Sequence, residues 1–275
     1  MCAIKNLFVC DVHIFFLCVQ NMITLRPQKA VVREMGDKYK NCISSHPLHN
    51  TLNIVKAREQ HAGYCKVLEE MGLEVIRVPR DDDYPDSCFV EDNAVVHNGK
   101  ALICRMAKQS RRGEELGVES VLKQYMPVKR ALAPATIEGG DVVHLPDRLI
   151  SGLSQRTNYE GVAQMQEWLS VPVSTVFDPS IMHLKSYVTY LGKGIIMATE
   201  RFAKHPALEG YNIIITPGNE EYAADTLSVD DTVLMAEGYP EAQKMVKEEG
   251  FNVVSLNVSE IQKCDGALTC LSILF

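Results

Sequence analysis

The chain has 275 residues, of which 46% are hydrophobic, 23% charged and 7% aromatic, which is enough for one large domain or two small ones with a sizeable core. Its net charge is −7, its pI is about 5.6, and it has no basic run with interleaved aromatic residues. This balance argues against nucleic-acid binding and mildly favours a cationic small molecule as a ligand.

Residues 1–21 differ from the rest of the chain. They are apolar but include Lys5, Asp11 and His13, and their longest uninterrupted apolar run, 14–19, is far shorter than the ~20 residues of a membrane-spanning helix. The stretch also has no small-residue cleavage site of the kind that ends a secretory signal. We interpret it as an N-terminal extension outside the core and expect a single catalytic domain over residues 22–275, with no membrane segment.

From residue 30 onward, strand and helix patterns alternate. Helical spacing of apolar residues, with Gly72 as a stop after the first segment, predicts helices at 53–71, 112–125, 158–169 and 240–249. Short apolar runs between turn residues predict strands at 30–32, 73–78, 94–96, 100–103, 130–132, 141–145, 148–151, 171–176, 186–190, 194–198, 211–216, 225–228, 232–236 and 251–256. Strand–hairpin–helix–strand units thus recur about every 45–60 residues, which indicates an α/β domain of repeated modules.

The nine cysteines are an odd number and include no C-x-x-C pair. This argues against a secreted disulfide scaffold and against a structural zinc site. We therefore expect a reducing, cytoplasmic environment, with most thiols acting as small buried apolar groups.

Residues 81–92, DDDYPDSCFVED, form an acidic stretch with an aromatic centre. If this stretch is a strand, Phe89 and Glu91 share one face and Asp92 lies on the other. Asp86, Glu91 and Asp92 around Phe89 suit a flat cation, because carboxylates can pair with its edge while the ring covers its face. The alternative is a solvated acidic loop.

Residues 137–142, IEGGDV, combine two glycines with carboxylates. Adjacent glycines allow a tight backbone that side chains can approach closely. Glu138 is placed to orient a histidine or to hold a proton, although a plain turn also explains the stretch.

Three further residues stand out on loops. Arg111 and Arg156 would form a bidentate clamp for a carboxylate if they converge, and would otherwise face solvent. His183 lies between apolar neighbours in MHLKS, where a structural or a catalytic histidine fits. The remaining histidines after the extension fit loops or exposed helix faces: His46, His49, His61, His97, His144 and His205.

Cys270 follows the turn-like pair Asp265-Gly266 and precedes the apolar run 271–275. The pattern predicts a buried strand or short helix with a thiol at its start. Such a thiol can be a nucleophile if a base, an acid and a substrate anchor stand elsewhere in the chain. The sequence shows no metal-binding spacing, phosphate loop or serine nucleophile elbow.

The order of these motifs is more specific than any one of them. PDSCFVED, SRR, EGGDV, GLSQRTN, MHLKS and DGALTC resemble, in order and spacing, the motifs of the dimethylarginine dimethylaminohydrolases of the amidinotransferase, or pentein, superfamily. The resemblance runs from about residue 28 to Phe275. It implies a five-bladed α/β propeller of ββαβ modules with its site in the central channel. It also implies hydrolysis of Nω-methylated arginine to citrulline and a methylamine, without metal or organic cofactor.

By motif position, the resemblance implies Cys270 as the nucleophile, His183 as the general acid and base, and Glu138 as the carboxylate that orients His183. It implies that Asp86 and Asp92 bind the guanidinium, with Glu91 beside them and Phe89 lining the pocket. It also implies that Arg111 and Arg156 bind the α-carboxylate. Finally, it implies that backbone carbonyls near Cys42 and at Cys264 accept hydrogen bonds from the α-amino group.

The chain departs from the family pattern at three positions. Cys264 stands where an aliphatic residue is usual, Cys42 where leucine is, and Asp225 where asparagine is expected. Arginine deiminases and amidinotransferases share the same chemical logic and stay open as alternatives, as does a catalytically silent binder of cationic amino acids. A homodimer also stays open.

Overall fold

The computed structural model describes residues 26–275, so the predicted extension at 1–21 lies outside the described residues. The strands in the described part of the chain form five separate three-stranded sheets. They are β1 Lys29–Arg33, β2 Glu74–Val78, β3 Ala94–His97, β4 Lys100–Ile103, β5 Val128–Arg130, β6 Val142–His144, β7 Leu149–Leu153, β8 Val173–Phe177, β9 Val188–Gly192, β10 Ile195–Ala198, β11 Asn212–Ile215, β12 Leu227–Val229, β13 Thr232–Ala236, β14 Asn252–Leu256 and β15 Ser272–Leu274. The helices are α1 Ile54–Glu70, α2 Glu115–Leu122, α3 Tyr159–Leu169, α4 Pro240–Glu248 and α5 Ser259–Gln262.

Each sheet repeats one arrangement. An antiparallel pair, such as β3 with β4, is followed by a third strand that runs parallel to the second, such as β5 beside β4. The first sheet is assembled from both ends of the chain, because β15 pairs antiparallel with β1, with Ala30 opposite Leu274, and β1 pairs parallel with β2. The fold is therefore the predicted five-bladed α/β propeller.

Local chemistry explains the best-predicted element, α1. Asn53 caps the helix by accepting hydrogen bonds from the backbone N–H groups of Val55 and Lys56, and Gly72 adopts a φ of +85° just beyond its end. Its buried face includes Ala57, Tyr64 and Leu68, at helical spacing. His61 lies on the same buried face, so the expectation that it fits a loop or an exposed helix face is wrong.

Two segments differ from the sequence-based expectation. The helix predicted at 112–125 covers only Glu115–Leu122, because Gly113 has a φ of +122° and interrupts the chain before the helix. The acidic stretch contains a 3-10 turn, Val90–Asn93, in place of a strand, so the predicted alternation of Phe89, Glu91 and Asp92 between two faces is wrong.

A short 3-10 turn lies directly before the first strand of each antiparallel pair. The turns are Val90–Asn93, Gly139–Asp141, Leu184–Ser186, Glu221–Ala224 and Thr269–Leu271. The turn Val90–Asn93 contacts both Gly139–Asp141 and Thr269–Leu271. The turn Leu184–Ser186 contacts both Gly139–Asp141 and Glu221–Ala224. The modules thus bring five equivalent chain segments together. Within residues 26–275, no helix combines the length and apolar character needed to cross a membrane.

Candidate active site

His183 lies at the start of the turn before β9, between two carboxylates. Its Nε2 is 2.8 Å from Glu138 Oε2 and 3.5 Å from Asp92 Oδ1. Burial opposes the charged imidazole, but the negative charges of Asp92, Glu138 and Asp141 outweigh burial and raise the pKa of His183 to about 9. The ring is therefore protonated at neutral pH.

Glu138 is completely buried, and its oxygens have several donors. Oε1 accepts a hydrogen bond of 3.0 Å from the backbone N–H of Ala107, and Arg156 Nη1 lies 3.4 Å from Oε2. Burial alone would raise the pKa of Glu138, but the hydrogen bond with His183 and nearby positive charge hold it below its usual value. The carboxylate is thus ionised and fixed toward the imidazole, as the sequence predicts for an orienting group.

Gly140 lets the backbone approach His183 and Asp92 closely. A Cβ atom at this position would lie 2.8 Å from His183 Nδ1 and 2.9 Å from Asp92 Oδ1. The Gly140 N–H also donates a hydrogen bond of 3.1 Å to Asp92 Oδ1. This is the close approach that the two adjacent glycines predicted.

Arg111 is buried in a cluster of carboxylates. Its Nη1 lies 2.8 Å from Asp92 Oδ2 and its Nη2 lies 2.8 Å from Glu114 Oε2. Burial works against ionisation of Asp92, but His183 and Arg111 lower its pKa to about 2. Arg111 is thus not a solvent-facing loop arginine, and Glu114 is a partner that sequence patterns did not reveal.

Cys270 is half-buried in the turn just before β15. Burial is the main cause that raises the pKa of its thiol well above the ordinary value, and Asp225, Glu91 and Asp92 raise it further. Cys270 therefore lies in the field of the same Asp92 that flanks His183. At rest, the thiol is neutral.

Asp225 connects the turn before β12 to the segment that carries Cys270. Its Oδ1 and Oδ2 accept hydrogen bonds of 3.1 and 3.2 Å from the backbone N–H and the hydroxyl of Thr269, the residue before Cys270. Burial, reinforced by Glu91, raises the pKa of Asp225 to about 7. The departure from the expected asparagine therefore adds a titratable group next to the thiol.

The remaining acidic positions also lie at the site. Lys185 Nζ donates a hydrogen bond of 2.6 Å to Glu91 Oε1. Asp86 accepts hydrogen bonds of 3.1 and 3.3 Å from the backbone N–H of Ile43, and burial raises the pKa of Asp86. The Phe89 ring packs so closely on Gly266 that a Cβ there would lie 2.4 Å from it.

Cys42 and Cys264 form a disulfide bond, although the sequence favoured free thiols at most positions. Their separation of 222 residues hides the pair from any local motif. Elsewhere in residues 26–275 the expectation of free thiols is confirmed, since Cys65, Cys88 and Cys104 are free and buried.

Among residues 26–275, two groups of side chains have metal-like spacing. The ligand atoms of Asp92, Glu138 and His183 lie within 4.8 Å of one another, as do those of Cys42, His49 and Cys264. In the first group, the guanidinium of Arg111 already pairs with Asp92 and lies 3.7 Å from Glu138. In the second, the disulfide occupies both sulfur atoms.

Comparison with solved structures defines the class of protein. The dimethylarginine dimethylaminohydrolase of Pseudomonas aeruginosa, solved in complex with citrulline, matches 91% of this chain and 100% of its own with a TM-score of 0.88 and 32% sequence identity. The present chain is thus a pentein-type propeller in which Cys270, His183, Glu138 and Asp92 lie on or next to turns that contact one another.

Sequence comparisons specify the family. The family model for eukaryotic N,N dimethylarginine dimethylhydrolase matches residues 26–203. The N(G),N(G)-dimethylarginine dimethylaminohydrolase of Pseudomonas aeruginosa is 35% identical over 80% of this chain and 89% of its own length. Its namesake in Streptomyces coelicolor is 32% identical over 90% of this chain and 96% of its own length. The chain therefore belongs to the dimethylarginine dimethylaminohydrolase family.

Proposed function

We propose that this protein hydrolyses Nω-methylated arginine, as asymmetric dimethylarginine or monomethylarginine, to citrulline and dimethylamine or methylamine. The observation that carries the proposal is the buried arrangement of His183 between Glu138 and Asp92, with the Cys270 thiol in the field of the same Asp92. A nucleophile, a proton donor and an acidic pocket for a cation are then all present. Membership of the family, with two relatives named for this reaction, supports the assignment.

The resting charges define the order of steps. The substrate guanidinium binds among Asp86, Asp92 and Glu91, and its positive charge favours ionisation of the Cys270 thiol, whose proton leaves to solvent. The thiolate adds to the guanidinium carbon, and protonated His183 gives its proton to the departing amine nitrogen. This leaves a covalent thiouronium on sulfur. Neutral His183 then takes a proton from water, the hydroxide adds to the same carbon, and the thiolate leaves with release of citrulline.

The amino-acid end of the substrate requires separate contacts. We assign the α-carboxylate mainly to Arg156, whose buried Nε has no hydrogen-bond partner among residues 26–275. Arg111 would have to share its guanidinium between the substrate and the carboxylates of Asp92 and Glu114. The backbone carbonyls at Cys42 and Cys264 accept the α-amino group, and Phe89 lines the pocket.

Residues 22–275 are proposed as the catalytic unit and the cytoplasm as its location. The pairing of β1 with β15 supports this unit, because the first sheet is complete without residues 1–21. The free thiols of Cys65, Cys88 and Cys104 support a reducing compartment, whereas the disulfide between Cys42 and Cys264 counts against it. Deletion of residues 1–21 should leave soluble, active protein, and loss of either property would refute the assignment.

The decisive experiment measures citrulline release from asymmetric dimethylarginine by wild type and Cys270→Ser. We expect a loss of ~10²–10⁴-fold or more in kcat, because serine is a far weaker nucleophile in this setting. Cys65→Ser is the matched control, since Cys65 lies next to His61, which can bond the new hydroxyl. Parallel rates with monomethylarginine and arginine separate this reaction from that of a deiminase. Tight binding without turnover by wild type would indicate the silent binder instead.

A further inference from the structure

The disulfide between Cys42 and Cys264 lies in the wall of the proposed substrate pocket. Cys42 follows the 3-10 turn Asp37–Asn41, and Cys264 comes two residues after α5 and six before Cys270. The two Cα atoms are 5.9 Å apart, and both side chains are buried. No other cysteine of residues 26–275 is paired.

An imidazole adjoins this pair. His49 Nδ1 lies 3.7 Å from Cys42 Sγ and 3.2 Å from the carbonyl oxygen of Lys263. An imidazolium next to a cysteine stabilises the thiolate, which is the reactive form. Cys42 is thus the activated member of the pair. Cys264 lies where its sulfur can attack an oxidised Cys42 sulfur.

We propose that Cys42 and Cys264 form a reversible thiol–disulfide site, with a small peroxide as oxidant, that adjusts substrate binding. The Cys42 thiolate attacks one peroxide oxygen, the O–O bond breaks, and the leaving hydroxide takes the proton from His49, giving a sulfenic acid and water. The Cys264 sulfur then attacks the sulfenic sulfur, the S–S bond forms, and a second water leaves. Both sulfurs are oxidised, both peroxide oxygens are reduced, and an external dithiol reverses the change.

The disulfide fixes a loop that holds part of the pocket. Ile43, next to Cys42, donates its N–H to the Asp86 carboxylate. Ser44 Oγ donates a hydrogen bond of 2.8 Å to the carbonyl of Lys263, and the Ser45 N–H donates one of 2.6 Å to Asp265. In the dithiol form the loop keeps its hydrogen bonds but loses the covalent link, so substrate binding has to order more of the loop. The effect on substrate rests on the proposed function, but formation of the disulfide does not.

The first test maps the disulfide in a Cys270→Ser background, where the nucleophile cannot react. After peroxide, a digest should contain the Cys42 peptide joined to the Cys264 peptide, and dithiothreitol should separate them. His49→Asn should slow the joining about tenfold, because the imidazolium that stabilises the thiolate and protonates the leaving hydroxide is lost, whereas Cys65→Ser should not. The proposal fails if the joined peptide never forms, if dithiothreitol leaves it intact, or if His49→Asn joins as fast as the control.

The second test compares KM and kcat for asymmetric dimethylarginine in reduced and oxidised wild type, after removal of peroxide and confirmation by mass that Cys270 is free. We expect KM to be about 2- to 12-fold higher in the reduced protein, with kcat little changed, because ordering the loop costs binding energy. Cys42→Ser should give one KM under both treatments. Equal KM values for the two wild-type states would overturn the pocket effect. Inactivity of both states, with normal peptide joining, would instead count against the proposed function.

Discussion

Replacement of Glu138 by glutamine tests the charge state that we assign to His183. The change removes a carboxylate whose Oε2 lies 2.8 Å from Nε2 and whose negative charge helps to raise the pKa of His183 to about 9. A hydrogen bond to a charged group contributes about 1.5–3 kcal/mol, and one pKa unit is about 1.4 kcal/mol, so the pKa should fall by about one to two units. Asp92, 3.5 Å away, retains the rest of the shift.

The assay is kcat for citrulline release across the pH range. Because His183 must be protonated to release the amine, kcat falls as pH rises through its pKa, and this limb should move from about 9 to about 7–8 in Glu138→Gln. The variant's loss at about pH 8.5 should exceed its loss at about pH 6.5 by ~3- to 20-fold. Glu119→Gln is the matched control, because Glu119 pairs with Arg130 away from the site. An alkaline limb that stays at the wild-type position in Glu138→Gln would refute the reasoning.

Three further outcomes follow from the site. Asp225→Asn should lower the thiol pKa of Cys270 and speed its alkylation by iodoacetamide up to about tenfold near neutral pH, since one carboxylate is lost; an unchanged rate would contradict this. Gly140→Ala should lower kcat by ~10²-fold by displacing His183 and Asp92, whereas Gly63→Ala, with nothing within 4 Å of its new Cβ, should not. Dimethylguanidine should increase thiolate absorbance of Cys270, whereas neutral dimethylurea should not; equal responses would exclude activation by the cation.

Elements with a local signal could be predicted from the sequence. The helix α1 has an asparagine cap, helical spacing and a terminal glycine, and the hairpin of β3 and β4 has the Asn98-Gly99 turn. The 3-10 turns could not be predicted, because three or four residues carry no periodicity. Glu91 and Asp92 were therefore placed on opposite faces of a strand that the chain does not form.

Partners that are distant in sequence gave no local signal either. Lys185 and Glu91 are 94 residues apart, and the two disulfide cysteines are 222 apart. Motif order could predict the contact of Glu138 with His183, but it gave no sign of the ion pair between Arg111 and Glu114, although these two are only three residues apart. Tertiary packing buries these acidic and basic residues as pairs, and that packing has no local signal in the sequence.

The resting charges of the site also explain why an acidic pocket suits a cysteine nucleophile. Burial and the carboxylates around Cys270 disfavour its thiolate, and the negative charge of nearby carboxylates keeps His183 protonated. The free protein therefore holds an unreactive thiol beside a ready proton donor. A bound guanidinium neutralises the carboxylates and stabilises a thiolate beside it. A cationic substrate thus stabilises the thiolate that attacks it, whereas a neutral urea such as citrulline does not.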